Sequence, residues 1–241
     1  MAAKKKTKKK SAPKKKKTKK TTTTTASAPL INHVAFVVDR SGSMAPIRDD
    51  VRSIFNDQVA ALKELSQQSN QTTFVSFFTF HSEVDEARLL AVPAGNARRL
   101  RGWACKGTTA LHDAVGQAIH ELRAVDGARS RNTSFLVIVL TDGHENASTT
   151  YKEKLAGMLA TAQNTGRWTF AFLVPPAGIP AARRLGVPGG NTLGWLPTVK
   201  GLGLMQRALA AGLKRFYKTR AGARAEGQGH SVAFFGFTRR T

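Results

Sequence analysis

Cysteine is nearly absent. Cys105 stands alone in 241 residues, which excludes an intramolecular disulfide framework and fits a reducing compartment. Only Lys106 sits beside it as a basic neighbour, so it reads as a small, partly buried residue rather than an activated thiol. Long apolar runs are missing as well. A membrane helix needs roughly 18 apolar residues, and the longest runs here, 34–38 and 135–140, are strand-sized. The first residues are basic with no apolar stretch behind them, so no secretory signal is expected. The expectation is an intracellular, cytoplasmic protein without membrane contact, or a nuclear one if the host is a eukaryote. Acid is also scarce, with 15 Asp and Glu against 38 Lys and Arg and a net charge of +23. A chain this basic attracts polyanions.

The charge is uneven. Residues 1–29 hold twelve lysines and no acid, interleaved with Thr, Ser and Pro. With little to bury and like charges repelling, this tail is expected to be disordered. Beyond Pro176 there are eleven basic residues and one acid, Glu226. The chain turns globular near Leu30. Apolar or β-branched runs at 34–39, 73–80, 135–140 and 168–174 read as strands, with a weaker one at 87–92 expected to pair with 73–80. Helical spacing marks 46–66, 109–125, 151–165 and 201–217. Strands alternating with helices imply an α/β fold: a doubly wound, mostly parallel central sheet flanked by helices. The expected division is a basic tail (1–29), one domain (30–218) and a basic, aromatic C-terminal extension (219–241). Ligands of such sheets bind outside the carboxyl ends of the strands.

Two predicted strands run into aspartate there. The first gives Val37-Val38-Asp39-Arg40-Ser41-Gly42-Ser43-Met44, and a later one gives Val139-Leu140-Thr141-Asp142-Gly143. Between them, just ahead of a helix, lies Lys106-Gly107-Thr108-Thr109-Ala110-Leu111. Asp, Ser and Thr offer only oxygen donors, which suit a hard cation such as Mg²⁺. Gly42 and Gly143 are expected to allow sharp turns beside it. Alone, Asp-x-Ser-x-Ser also fits a strand-to-helix turn with capping residues; the three segments together point to a metal site.

These segments resemble the metal-ion-dependent adhesion site (MIDAS) of von Willebrand factor A (vWA) domains, and 141–148 and 185–193 resemble prokaryotic members. The likeness covers roughly residues 31–218. It implies that Ser41, Ser43 and Thr109 supply hydroxyls, directly or through water. Asp39 and Asp142 would act largely through metal-bound waters and hydrogen bonds to the serines. The ion, Mg²⁺ or Mn²⁺, is left poorly neutralised and seeks a partner's Asp or Glu. Thr109 fits best because it directly precedes Ala-Leu; Thr108 is the alternative. Lys106 stands where Gly is frequent and adds positive charge, which weakens metal affinity slightly or strengthens the pull on an anionic partner.

Other features carry less. His144 and Glu145 are the only candidates for acid–base work, and they read as a solvent-exposed rim. His112 and Asp113 are adjacent on a helix and point apart. His33, His81, His120 and His230 have no ligand spacing. No Gly-x-x-x-x-Gly-Lys-Ser/Thr loop is present. Phe74, Phe77, Phe78 and Phe80 read as core rather than a base-stacking platform. The lysine tail either binds DNA or RNA through phosphates, without sequence selectivity, or is a solvated tail. The apolar stretch 232–237 docks on the domain, adds an edge strand or binds a partner. The leading expectation is a metal-dependent protein-binding module, not an enzyme, tethered to nucleic acid by its tail. The alternatives are a nucleic-acid-binding protein with this domain as scaffold, and a metal-assisted hydrolase.

Overall fold

The apolar runs do pair into one sheet. The computed structural model describes residues 1–3, 29–226 and 233–236. Its strands are β1 (Ile31–Asp39), β2 (Thr72–Phe80), β3 (Leu89–Pro93), β4 (Thr133–Leu140), β5 (Trp168–Val174) and β6 (Thr192–Gly194), in the order β3-β2-β1-β4-β5-β6. Only β3 is antiparallel, on β2. Every residue of β4 and β5 is buried, as expected of strands covered on both faces. Side chains alternate between the two cores. Val34, Phe36 and Val38 face α1 (Arg48–Gln68) and α5 (Val199–Glu226), while Ala35 and Val37 face α2 (Leu111–Ala124), α3 (Leu155–Asn164) and the short α4 (Ile179–Arg184). Phe77, Phe78 and Phe80 are fully buried, so they serve as core. Among the described residues no helix is long and apolar enough to cross a membrane. The lysine-rich tail falls almost wholly on residues 4–28 and lies outside the described residues.

The doubly wound order has a consequence for ligands. The chain leaves β1 toward β2 on one side and returns to β4 on the other. The connections after β1 and β4 therefore diverge and leave a crevice at the carboxyl ends of these two central strands.

Several elements differ from the sequence reading. The third helix begins at Leu155 rather than near Tyr151, because the Asp113 carboxylate takes the amides of Thr149, Thr150 and Tyr151 and holds them as a turn. The Tyr151 ring covers Gly116, where a Cβ would stand 2.3 Å from it. The last helix continues past Tyr217 to Glu226. Its apolar stripe ends, but Ala and Arg sustain the helix, and Arg220 docks on Asn32 Oδ1 (3.3 Å) and the Asn132 carbonyl (2.6 Å). Both α4 and β6 are too short for periodicity to reveal. Of the readings for 232–237, docking holds for the described part. Phe234 is buried over Gly212, its amide donates to Asn191 Oδ1 (2.6 Å), and the Phe235 amide donates to the Gly190 carbonyl (2.9 Å).

One buried polar side chain is unexpected. His33 is enclosed between the rings of Phe74 (5.0 Å) and Phe135 (5.3 Å), and neither ring nitrogen has a hydrogen-bond partner. Burial depresses its pKa from 6.5 to about 4. Below pH 6.5 the unfolded chain takes up a proton that the folded chain refuses, so stability falls as the pH drops toward 4. The expected loss is about 2 kcal/mol by about pH 5. His33→Phe should remove it, so that the melting temperature of the variant changes less between about pH 7 and pH 5 than that of the wild type. An equal drop in both proteins would show that His33 is not the acid-sensitive group.

Candidate metal centre

The crevice is lined by three loops. β1 delivers Asp39 at its last, fully buried position, and the chain turns at once into a 3₁₀ helix (Gly42–Ile47) that carries Ser43. The Asp39 carboxylate binds backwards and sideways: Oδ1 accepts from the Ser41 amide (2.6 Å), and Oδ2 from Thr141 Oγ1 (2.5 Å). Ser41 Oγ and Ser43 Oγ lie 3.2 Å apart, and Ser43 Oγ donates to Asp142 Oδ1 (2.8 Å). Ser41 is buried, Asp142 half-buried and Ser43 exposed, so the cluster opens to solvent on the Ser43 side.

The strand that precedes Asp142 ends where its apolar run ends. β4 stops at Leu140, and Thr141 leaves the ladder. Its amide still donates to the Leu173 carbonyl, its hydroxyl turns to Asp39, and its carbonyl accepts from Trp195 Nε1 (3.1 Å). Asp142 therefore sits on a pinned turn rather than at a strand end.

The two threonines point to different neighbours. Thr108 Oγ1 is exposed and pairs with Ser82 Oγ (2.9 Å), away from the cluster. Thr109 is buried and faces inward. An ideal Cβ at Gly143 would stand 3.1 Å from Thr109 Oγ1 and 3.9 Å from Asp39 Oδ2, so the missing side chain at Gly143 keeps the space between these two oxygens open. Gly42 and Gly143 make their turns without a positive φ. The left-handed residue is Gly107 (φ +70°), where a Cβ would also collide with Ser82 Oγ at 2.5 Å. Backbone bonds from Gly42 N to the Gly107 carbonyl (3.1 Å) and from Lys106 N to the Arg40 carbonyl (3.0 Å) stitch the first two loops together.

Asp39, Ser41, Ser43, Thr109 and Asp142 thus converge from three loops. Burial pushes the Asp39 carboxyl above the ordinary aspartate range, opposed by the hydrogen bonds from Thr141 and Ser41 and reinforced by the charge of Asp142. A deeply buried carboxylate beside a second one, held by neutral hydroxyl and amide donors, favours a cation. The donors present fit a hard divalent ion: hydroxyl and carboxylate oxygens, without thiolate or imidazole. Among the described residues no three His, Cys, Asp or Glu side chains come together as a separate metal site.

Four residues outside the five candidate ligands support the cluster: Thr141, described above, and Arg40, Asp85 and Asn146. Arg40, between Asp39 and Ser41, turns inward and binds Asp85 through Nε (2.5 Å) and Nη2 (2.6 Å) and the Ala104 carbonyl through Nη1 (3.2 Å). Burial alone would raise the Asp85 pKa, but the hydrogen bonds from Arg40 and Thr79 and the charge of Arg40 hold it below the usual range. Asn146 clasps Thr109 from both sides, since its Oδ1 accepts from the Thr109 amide (2.9 Å) and its own amide donates to the Thr109 carbonyl (3.1 Å). Glu145, which the sequence offers as a general base, has its carboxylate filled by the amides of His112, Ala147 and Ser148 and by Ser148 Oγ. His144 is exposed. Cys105 is half-buried, and burial raises its thiol pKa.

Residues 34–145 match the von Willebrand factor type A domain family. The fold is vWA-like. Among solved structures, the pilus adhesin SpaC from Lactobacillus rhamnosus GG in its open conformation is similar, with TM-score 0.60, 14% identity, 79% of this chain and 31% of that chain covered. Proximal thread matrix protein 1 of the mussel byssus is similar at TM-score 0.53 and 14% identity, over 76% and 46% of the two chains. The same mussel protein, solved with a zinc-occupied MIDAS motif, aligns at TM-score 0.50 and 16% identity over 76% and 45%. The chain therefore spans a third to a half of these solved proteins. No curated protein is significantly similar in sequence. This vWA-like fold places the cluster at the carboxyl edge of its central strands, in the crevice described above.

Proposed function

We propose that this vWA domain is a divalent-metal-dependent protein-binding module. The observation that carries the proposal is the convergence of Asp39, Ser41, Ser43, Thr109 and Asp142 at the open edge of the sheet, with Asp39 tied to the Ser41 amide and to Thr141, and Asp142 tied to Ser43. Ser41, Ser43 and Thr109 would hold Mg²⁺ or Mn²⁺ through their hydroxyls, with the two carboxylates behind them. An ion held there would supply an under-neutralised positive centre able to take an acidic side chain of a partner. The vWA-like adhesin SpaC and the zinc-occupied MIDAS of the mussel protein support this general class. No catalytic role is assigned, because the carboxylate of Glu145 is engaged in holding the loop from Glu145 to Ser148 against α2.

The test is retention of the full chain on an immobilised Asp/Glu-containing peptide at physiological salt, in Mg²⁺ and in EDTA. The lysine-rich segment also attracts acid, so the informative quantity is the part that EDTA removes. That part is expected to be large for the wild type and absent for Ser43→Ala, whose side chain is exposed and whose loss leaves the core untouched. Equal retention in Mg²⁺ and EDTA would overturn the proposal.

A further inference from the structure

The opposite edge of the sheet carries charge that the metal centre does not use. Ile31 pairs with Thr133 and Phe135 with Trp168, so the segments preceding β1, β4 and β5 share one edge. Arginine gathers there. Arg123 closes α2, Arg129 and Arg131 lie in the α2–β4 connection, Arg167 directly precedes β5, and Arg220 arrives from α5. Arg123, Arg129 and Arg167 line a cavity of about 310 Å³ whose floor includes the stacked rings of Phe135 and Trp168 and whose lining has no carboxylate. Arg167 Nη1 donates to the carbonyls of Ala128 (2.6 Å) and Ser130 (3.1 Å), which fixes the connection bearing Arg129 and Arg131.

Compensation is missing. Among the described residues, ion pairs are confined to Arg40, Arg48 and Arg52. The connection itself holds one acid, Asp126. Arg220 is 5% exposed, yet among the described residues its side chain bonds only neutral oxygens, those of Asn32 and Asn132. Burial and the charge of Arg167 lower its pKa to about 10. A buried cation without a counter-charge is costly, and an anion at this edge relieves the cost. The segment with twelve lysines joins the domain at this edge too, since β1 begins there.

The chemistry favours phosphate on a nucleic-acid backbone. Guanidinium groups match phosphate in a bidentate way, and clustered arginine beside a lysine-rich segment suits a polymer of uniform negative charge. A membrane would need apolar anchors, and the exposed large apolar side chains of the folded domain (Leu90, Leu196, Val199 and Leu204) lie outside this cluster. We propose that the edge opposite the metal centre binds the phosphate backbone of nucleic acid, with Arg123, Arg129, Arg131 and Arg167 as the binding surface and no selectivity for bases.

The test is binding of a short labelled DNA duplex to the full chain by fluorescence anisotropy across a salt series. The variant Arg123→Ser/Arg129→Ser/Arg131→Ser removes three exposed guanidinium groups and leaves Arg167 and Arg220 in place. It should bind more weakly, with the slope of log affinity against log salt reduced by about 3, near 0.9 for each phosphate no longer neutralised. Arg129→Ser alone should reduce the slope by about 1 and keeps the test informative if the triple variant fails to fold. Unchanged affinity and slope in both variants would place all binding in the lysine-rich segment and overturn the proposal. So would poly-glutamate displacing the duplex at equal charge concentration, since the edge would then be a general polyanion surface. Ser43→Ala should bind the duplex like the wild type, which separates failure at this edge from failure of the metal-site proposal.

Discussion

Asp39→Ala is expected to abolish saturable binding of Mg²⁺ and Mn²⁺ while the domain stays folded. Two effects of opposite sign support the second half of that expectation. The substitution removes hydrogen bonds from the Ser41 amide and Thr141 Oγ1, each worth about 1.5–3 kcal/mol when the acceptor is charged. It also removes a carboxylate whose burial pushes its pKa upward, that is, a group whose ionised form the fold itself disfavours. The two oppose each other in the metal-free protein. They do not cancel at the ion, because Asp39 is the fully buried negative charge behind the hydroxyl cluster. Calorimetric titration of both proteins reads the binding, and a thermal melt in EDTA reads the fold. Saturable heat in the wild type and none in the variant, with melting temperatures within a few degrees, is the expected pair of results. Undiminished binding by Asp39→Ala would remove the cluster from consideration as the metal centre.

The residues of this cluster differ in how visible they are in the sequence, and the reason is distance along the chain. Asp39, Ser41 and Ser43 fall within five positions at the end of an apolar run, so strand and loop chemistry meet in one window. Thr109 and Asp142 need the vWA-like motifs, because nothing local distinguishes Thr109 from Thr108. The separation comes from Ser82, which takes Thr108, and Asn146, which takes Thr109. Such pairings across 26 and 37 positions have no periodic signature. The same holds for Asp113 and Glu145. Both have the residue type for acid–base chemistry, and both cap loop amides instead. The strands of the sheet are legible because their apolar runs are long and continuous, whereas α4 and β6 have six and three residues, too few for a period to repeat. His33 is visible as a histidine, but that it stacks between Phe74 and Phe135 follows only from the register of β1 with β2 and β4.

Asp85→Asn is expected to loosen both the fold and the metal site, through Arg40. That guanidinium is buried beside the loop that carries Ser41, and its charge is met by Asp85 through two short hydrogen bonds. Breaking a fully buried pair by removing one partner costs about 3–5 kcal/mol. The Asp85 side chain is 28% exposed, so water screens part of that loss, and about 2 kcal/mol is expected. For a domain of this size that lowers the melting temperature by about 4–8 °C. The pair also positions the metal loop, since the backbone of Arg40 bonds Phe80 and Lys106 and its neighbours are Asp39 and Ser41. Metal affinity should therefore fall by about tenfold, the equivalent of about 1.4 kcal/mol. The double variant Arg40→Met/Asp85→Leu separates the two roles. It removes both charges, so stability should recover, as it does when a buried pair is exchanged for apolar groups. It does not restore the bond from Arg40 to the Ala104 carbonyl or the fixed course of the loop, so affinity should stay low. Wild-type affinity in the double variant, measured in the same calorimeter, would mean that the pair only stabilises the fold and that Ser41 is held in place by Asp39 and the Gly107 loop alone.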